Sequence, residues 1–160
     1  MTTLWVLIAQ IMASTTMAAI AWFVQIVHYP LFHRLSRAGT LATGEDATSR
    51  RTALSDWHAE NVRRTRPVVL VPMAVEAATA AWLAVFPPPA IGRVVTLVGL
   101  SLAVAAIVTT ALIQVPLHER LRAGEDDPDI VRSLVRSTRL RTAIWTGRAG
   151  LAAWMLHAAA

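Results

Sequence analysis

The chain has 160 residues, enough for one domain, and 55% of them are apolar. With a mean hydropathy of +0.49, this is more apolar material than a soluble core of that size buries, so we expect a lipid bilayer around the chain. The formal charge of +5 comes from arginines that lie between long apolar runs, which indicates topology signals and not a nucleic-acid surface. The absence of cysteine excludes disulfides and thiolate metal sites.

Four apolar stretches are each near the roughly 20 residues that cross a bilayer. The first lacks the basic leader and the cleavage site of a signal peptide, so we interpret it as a retained span. The fourth stretch is the weakest candidate for a span, because Arg148 interrupts it. The predicted spans cover about residues 4–29, 67–86, 94–117 and 142–156. The sequence therefore predicts an all-α protein, a single integral membrane four-helix bundle.

The arginines predict the orientation of this bundle. Thirteen of the 15 fall in two segments, about residues 33–66 and 118–141, which follow the first and third spans. By the positive-inside rule we expect both segments to be cytoplasmic loops. The termini and the FPPPAIG turn at 86–92, whose prolines end the second helix, would then face outward. We expect the cytoplasmic (inner) membrane, with both termini external.

A short motif recurs where the first and third spans end. PLFHRL (30–35) aligns with PLHERL (116–121), and further on the Arg-Thr step at 64–65 matches the one at 141–142. One interpretation is two parallel copies of helix, basic loop and helix, which would bring equivalent polar groups together near a common axis. The other is that proline and arginine recur because helix exits favour them.

Two charged residues fall within the predicted spans. Glu76 and Arg148 each lie ten residues from the outer end of their helix, about 15 Å deep at 1.5 Å per residue. Charges at that depth usually face the bundle interior, so we predict that the two side chains pair. Either the pair only fixes packing, or it is catalytic together with Trp145, which is one turn from Arg148 on the same face. A third reading is that Arg148 snorkels toward the cytoplasm.

Three histidines fall in a second, deeper layer. His28, His58 and His118 come out about 36–42 Å from the outer ends if the second helix runs straight to His58. Neutral imidazoles bind metals and haem iron, so these residues are the candidate metal or haem ligands. Gln25 and Gln114 lie one turn above, as candidate cofactor-binding groups. The alternative is that all of them occupy the polar membrane interface.

Four motifs, spread between residues 25 and 148, resemble those of a group of small bacterial four-span membrane proteins, and the resemblance covers most of the chain. They are QIVHYPLF (25–32), WHAENVRRT (57–65), QVPLHERL (114–121) and TRLRTAIWTGR (138–148). Thr138-Arg139 stands where that group has Asn-Trp. A looser resemblance to the anthrone-oxygenase-like membrane superfamily implies oxidation of an aromatic or quinol-like substrate.

These observations lead to one preferred function and two alternatives. We expect a membrane-embedded redox or oxygenase-like protein that acts on a lipophilic small molecule, with its polar site toward the cytoplasm. The cofactor is not determined, and a metal ion or haem on the three histidines is one option. The alternatives are a non-catalytic membrane subunit or assembly factor, and a small transporter that works as a homo-oligomer. Nucleic acid is not an expected partner.

Overall fold

The computed structural model describes residues 2–31, 34, 45–123 and 128–159. All of its regular elements are helices. They are α1 (Thr2–Phe23), a first π-helix (Val24–His28), α2 (Glu45–Val85), α3 (Arg93–Thr109), a second π-helix (Thr110–Gln114), α4 (Val115–Arg122) and α5 (Pro128–Ala159). Since α3, the second π-helix and α4 are continuous, the described residues form four long rods, as the sequence predicts.

The rods pack as a ring in chain order. The first rod contacts α2 and α5, and α3 contacts the same two helices, so α2 and α5 stand diagonally opposite. At one end of the ring, which we call the terminal end, four side chains from the two termini and the turn form an apolar cluster: Leu7, Leu83, Ile91 and Met155. The other end, which we call the arginine end, contains the basic segments.

Prolines end α2 at the terminal end, as predicted. The helix stops at Val85, and the carbonyl of Pro88 accepts hydrogen bonds of 3.0 Å from the backbone N–H groups of Ile91 and Gly92. Gly92 adopts φ +78°, a left-handed conformation that favours glycine, and directly precedes α3. The second and third rods are therefore joined by a tight turn.

The segments that were predicted to be loops at the arginine end are largely helical. α2 begins at Glu45, well before the predicted span, and α5 begins at Pro128. Local charge pairs stabilise these extensions: Glu60 contacts Arg63 and Arg64, at 2.7 and 2.5 Å. Proline in the first helical turn also suits the start of α5. Consequently α2 does run through His58, which was the condition for placing this residue in the histidine layer.

The π-helices lie at equivalent positions in the aligned motifs. The first ends two residues before Pro30 and the second two residues before Pro116. A proline has no N–H to donate, and its ring collides with the carbonyl four residues earlier, so widening the preceding turn relieves the contact. The N–H groups of Tyr29 and Val115 accordingly reach back five residues, to the carbonyls of Val24 and Thr110. Because proline accounts for both π-turns, this shared irregularity agrees with either interpretation of the recurring motif.

Among the described residues, three helical stretches are long and apolar enough to cross a membrane: Thr2–Leu31, Ala59–Val85 and Arg93–Leu121. Their outward faces carry large apolar side chains; for example, Leu112 is 71% exposed and Val94 76% exposed. Such faces suit contact with lipid tails. α5 lies beside α1 and α3 in the same ring.

Candidate ligand-binding cavity

A charged layer crosses the bundle next to the terminal-end cluster. Nε of Arg148 lies 2.6 Å from Oε1 of Glu76, and both side chains are at most 1% exposed. The predicted pairing is therefore confirmed. Because α2 and α5 are diagonal neighbours, the ion pair crosses the centre of the ring. The predicted depths agree because Glu76 is nine residues from the end of α2 and Arg148 is eleven from the end of α5, and the short turn and the terminus hold these two ends level.

The other two helices complete this layer. The hydroxyl of Ser14 on α1 donates a 2.6 Å hydrogen bond to Oε2 of Glu76. On α3, Gly99 lies against the guanidinium, so that a Cβ atom there would be 3.4 Å from Cζ of Arg148. We refer to Ser14, Glu76, Gly99 and Arg148 as the central polar layer. It is closed to solvent and contains one residue from each rod.

Several polar atoms beside this layer are buried without a hydrogen-bond partner among the described residues. They include both terminal nitrogens of Arg148, both side-chain polar atoms of Gln10, and Nε1 of Trp145. Trp145 is fully buried and packs in the next apolar cluster, with Met17, Ala21, Met73 and Ala106. It therefore separates the central polar layer from the arginine end. The catalytic roles of Glu76, Arg148 and Trp145 stay predictions.

A second polar cluster lies at the arginine end, beyond Trp145. Nη1 of Arg141 donates to Oε1 of Gln114, and Nε2 of Gln114 lies 3.4 Å from the Thr138 hydroxyl. Tyr29 is 3% exposed and contacts Thr138 through its hydroxyl. We refer to Tyr29, Gln114, Thr138 and Arg141 as the arginine-end cluster. It joins the end of the first rod to α5 and to the second π-helix.

A cavity of about 810 Å³ opens beside this cluster. Apolar side chains of three rods form most of its wall, including Ile20, Val69, Met73 and Ile107. Its polar lining residues are His28, Tyr29, Asn61, Arg64, Thr65, Arg66, Thr110, Gln114, His118, Glu119 and Arg141. The volume lies within the roughly 300–1,000 Å³ of small-molecule sites, and a mainly apolar wall with a few polar groups is typical of them.

The candidate histidines meet this cavity in part. His28 and His118 both line it, and the ring of His28 stacks on Trp57 with centroids 5.7 Å apart. The side chain of His58 lies outside the described residues. Within the described part of the chain, no group of three or more His, Asp or Glu side chains is placed to hold a metal. Two imidazoles are fewer than the three protein ligands of a typical catalytic zinc site, so the described residues alone do not fit a metal.

The two glutamines differ in their surroundings. Gln114 is buried, lines the cavity and belongs to the arginine-end cluster. Gln25 is half-buried, and its Oε1 is enclosed without a partner among the described residues. Gln25 is not among the residues that line the cavity, whereas Gln114 is. Of the two candidate cofactor-binding residues, the structure therefore places Gln114 at the cavity and Gln25 away from it.

Sequence reasoning missed the role of Arg141, which it treated as a topology signal. Arg141 is 8% exposed and lines the cavity. The signal was present in its spacing: Arg141 precedes Arg148 by seven residues and Trp145 by four, which places all three on one face of α5. Because Trp145 and Arg148 face the interior, Arg141 must do so too.

Comparisons with protein-family models, with curated proteins and with solved structures found no match. The resemblances described above stay predictions. The function is therefore inferred from the residues that line the cavity.

Proposed function

We propose that this protein binds a lipophilic small molecule with a polar head in the cavity at the arginine end. The observation that supports this most directly is the combination of apolar walls from three rods with polar groups gathered at one end. An amphiphilic molecule would place its apolar part near Met73 and Ile107 and its head near Gln114 and Arg141. A uniformly polar solute would leave the apolar walls without a partner.

Entry from the bilayer is part of the proposal. Several lining side chains are also exposed on the outside of the bundle: Phe23 is 60%, Val68 57% and Leu70 55% exposed. The wall of α1 and α2 is therefore shared between the cavity and the surface that would face lipid. A hydrophobic ligand could pass this wall without crossing water, where its solubility is low.

The binding proposal is tested by filling the cavity. Ala111 lines the cavity on the second π-helix, so Ala111→Trp should occupy its volume. In neutral detergent, a lipophilic fluorescent probe should bind wild type saturably and bind Ala111→Trp at least about tenfold more weakly. Val104→Trp is the matched control, because Val104 is 48% exposed on the same rod and does not line the cavity. Equal binding to all three proteins would contradict the proposal.

Redox or oxygenase-like action on the bound molecule is a second, separable part of the proposal. It rests on the family resemblance and on His28 and His118 lining the same cavity. Metal analysis and an absorption spectrum of purified protein test it. A bound metal or haem should be lost in His28→Ala and His118→Ala and retained in His157→Ala, whose side chain is exposed at the terminal end of α5. His58→Ala tests the third candidate ligand.

A non-catalytic membrane subunit is the alternative that one observation favours. Glu76 and Arg148 are enclosed in the central polar layer and do not line the cavity. A pair that contacts no ligand and joins diagonal helices is what a purely structural role requires. Protein that binds neither the probe nor a metal would favour this alternative. Only the proposals of membrane localisation and of four spans would then remain.

A further inference from the structure

The charge of Arg141 suggests which kind of head group the cavity accepts. Arg141 is the most deeply buried cation of the cavity wall, with 8% of its surface exposed. Nη1 is held by the neutral Gln114, and Nε is buried with no acceptor among the described residues. No salt bridge joins Arg141 to a carboxylate in the described part of the chain. A buried cation without a counter-charge is costly, and an anionic ligand would remove that cost.

The other charged lining residues do not provide the missing counter-charge. Arg64 and Arg66 add positive charge, and Arg64 is engaged by Glu60 at 2.5 Å. Glu119 is the one acidic residue among the described lining residues, and its side chain is exposed. The wall thus has an excess of positive charge, concentrated at its polar end.

The geometry of the guanidinium narrows the choice of anion. Gln114 engages Nη1, while Nε is enclosed and has no acceptor among the described residues, so part of the hydrogen-bonding capacity of the guanidinium is unused. A carboxylate can accept two parallel hydrogen bonds from one edge of a guanidinium. It also carries the negative charge that a neutral head group lacks. Ile107 lies seven residues from Gln114 along the same rod, so an apolar chain extending from Arg141 would find about 10 Å of apolar wall.

We propose that the cavity binds a single-chain lipophilic carboxylate whose head pairs with Arg141 while its chain lies against Met73 and Ile107. This inference rests on the proposed function and adds the chemical class of its ligand. A single chain suits the volume of about 810 Å³. Gln114 holds Nη1 of the guanidinium, and the ligand compensates its charge.

Palmitic acid and palmitamide form a suitable pair of probes, because they share one chain and differ in head charge. Equilibrium binding to the full chain in neutral detergent should be at least about tenfold tighter for the acid. Arg141→Gln should weaken binding of the acid by about tenfold and change binding of the amide by less than about twofold. Arg139→Gln is the control, since Arg139 is exposed on the same helix and does not line the cavity. Its affinities should equal those of wild type.

Each other outcome has a distinct meaning. Equal affinity of wild type for acid and amide would overturn the head-group inference and leave the cavity proposal intact. If neither compound binds, the result would count against the head-group inference and against the cavity proposal. Displacement of the fluorescent probe by phosphatidylglycerol but not by palmitic acid would identify an anionic two-chain lipid and overturn the single-chain assignment. Should Arg141→Gln fail to fold, the ratio of acid to amide affinity in wild type still decides the question, and Arg141→Lys tests the fork geometry.

Discussion

At the scale of single residues, the central polar layer determines how α2 and α5 pack. Glu76 and Arg148 are excluded from solvent, and each offsets part of the cost of burying the other. Ser14 satisfies the second carboxylate oxygen, while Gly99 leaves room for the guanidinium. Replacement of the pair by apolar residues is often tolerated in proteins, whereas loss of one partner leaves a buried charge. Replacing only one of Glu76 and Arg148 should therefore destabilise the protein more than replacing both.

A double-mutant cycle tests this coupling. Glu76→Gln and Arg148→Gln should each lower the free energy of unfolding by up to about 3–5 kcal/mol, because each leaves one buried charge without its partner. The double variant should lose much less than the sum, since neither charge remains. Unfolding in a mixed detergent series measures the three free-energy changes. Additive losses would show that the 2.6 Å contact does not contribute to stability.

At the scale of elements, the π-helices set which residues face the cavity. A π-turn contains one residue more than the α-helical turn it replaces, and so rotates everything beyond it by about 100° relative to a regular helix. The second π-helix lies directly before α4 and ends in Gln114, which reaches Arg141 and Thr138. The turn therefore lets α3 keep its packing face while Gln114 and His118 point into the cavity.

Deleting one residue from this turn should be tolerated. Leu112 is 71% exposed, so ΔLeu112 should convert the π-helix to α-helix while the rod keeps its facing on both sides, at the cost of restoring the contact of the Pro116 ring with the carbonyl four residues earlier. Deleting Val104 from regular α3 should instead rotate Gln114 and α4 out of register and unfold the arginine end. Thermal unfolding should therefore show a shift of a few degrees for ΔLeu112 and a much larger one for ΔVal104. Equal losses would mean that the π-turn does not absorb an extra residue.

The same turns explain what sequence could and could not predict. Four helices, the proline-ended turn and the pairing of Glu76 with Arg148 follow from hydropathy and from distance along straight helices. The facing of Gln114 depends on an inserted residue, and its contact with Arg141 depends on packing across rods, although the spacing of Arg141 from Trp145 and Arg148 already placed Arg141 on the interior face of α5. Proline marked where the helices are irregular, but a period of 3.6 residues cannot give the direction of side chains beyond a π-turn.

At the scale of the whole molecule, the ring of helices bears on how α5 meets the membrane. In the part of the chain that the structure describes, three helical stretches are apolar enough to cross alone, and α5, which contains Arg148, is not among them. Yet α5 packs against both α1 and α3, and its Met155 joins Leu7 and Leu83 in the terminal-end cluster. We expect a helix in that position to cross the bilayer together with its neighbours. Pairing with Glu76 lowers the cost of its arginine.

We therefore predict four crossings with both termini on the outside. Reporter fusions at residues 45 and 124 should lie in the cytoplasm, and a fusion at residue 160 should lie outside, because the arginine-rich segments are retained inside. Arg148→Leu should leave the fusion at residue 160 outside, since it only makes α5 more apolar. Glu76→Leu should move part of that fusion to the inside, because a central arginine without its carboxylate costs about 2.5–3.5 kcal/mol on insertion scales. A wild-type fusion at residue 160 in the same compartment as the one at residue 45 would contradict the four-span topology. An unchanged distribution in Glu76→Leu would show instead that packing against α1 and α3 is enough to insert α5.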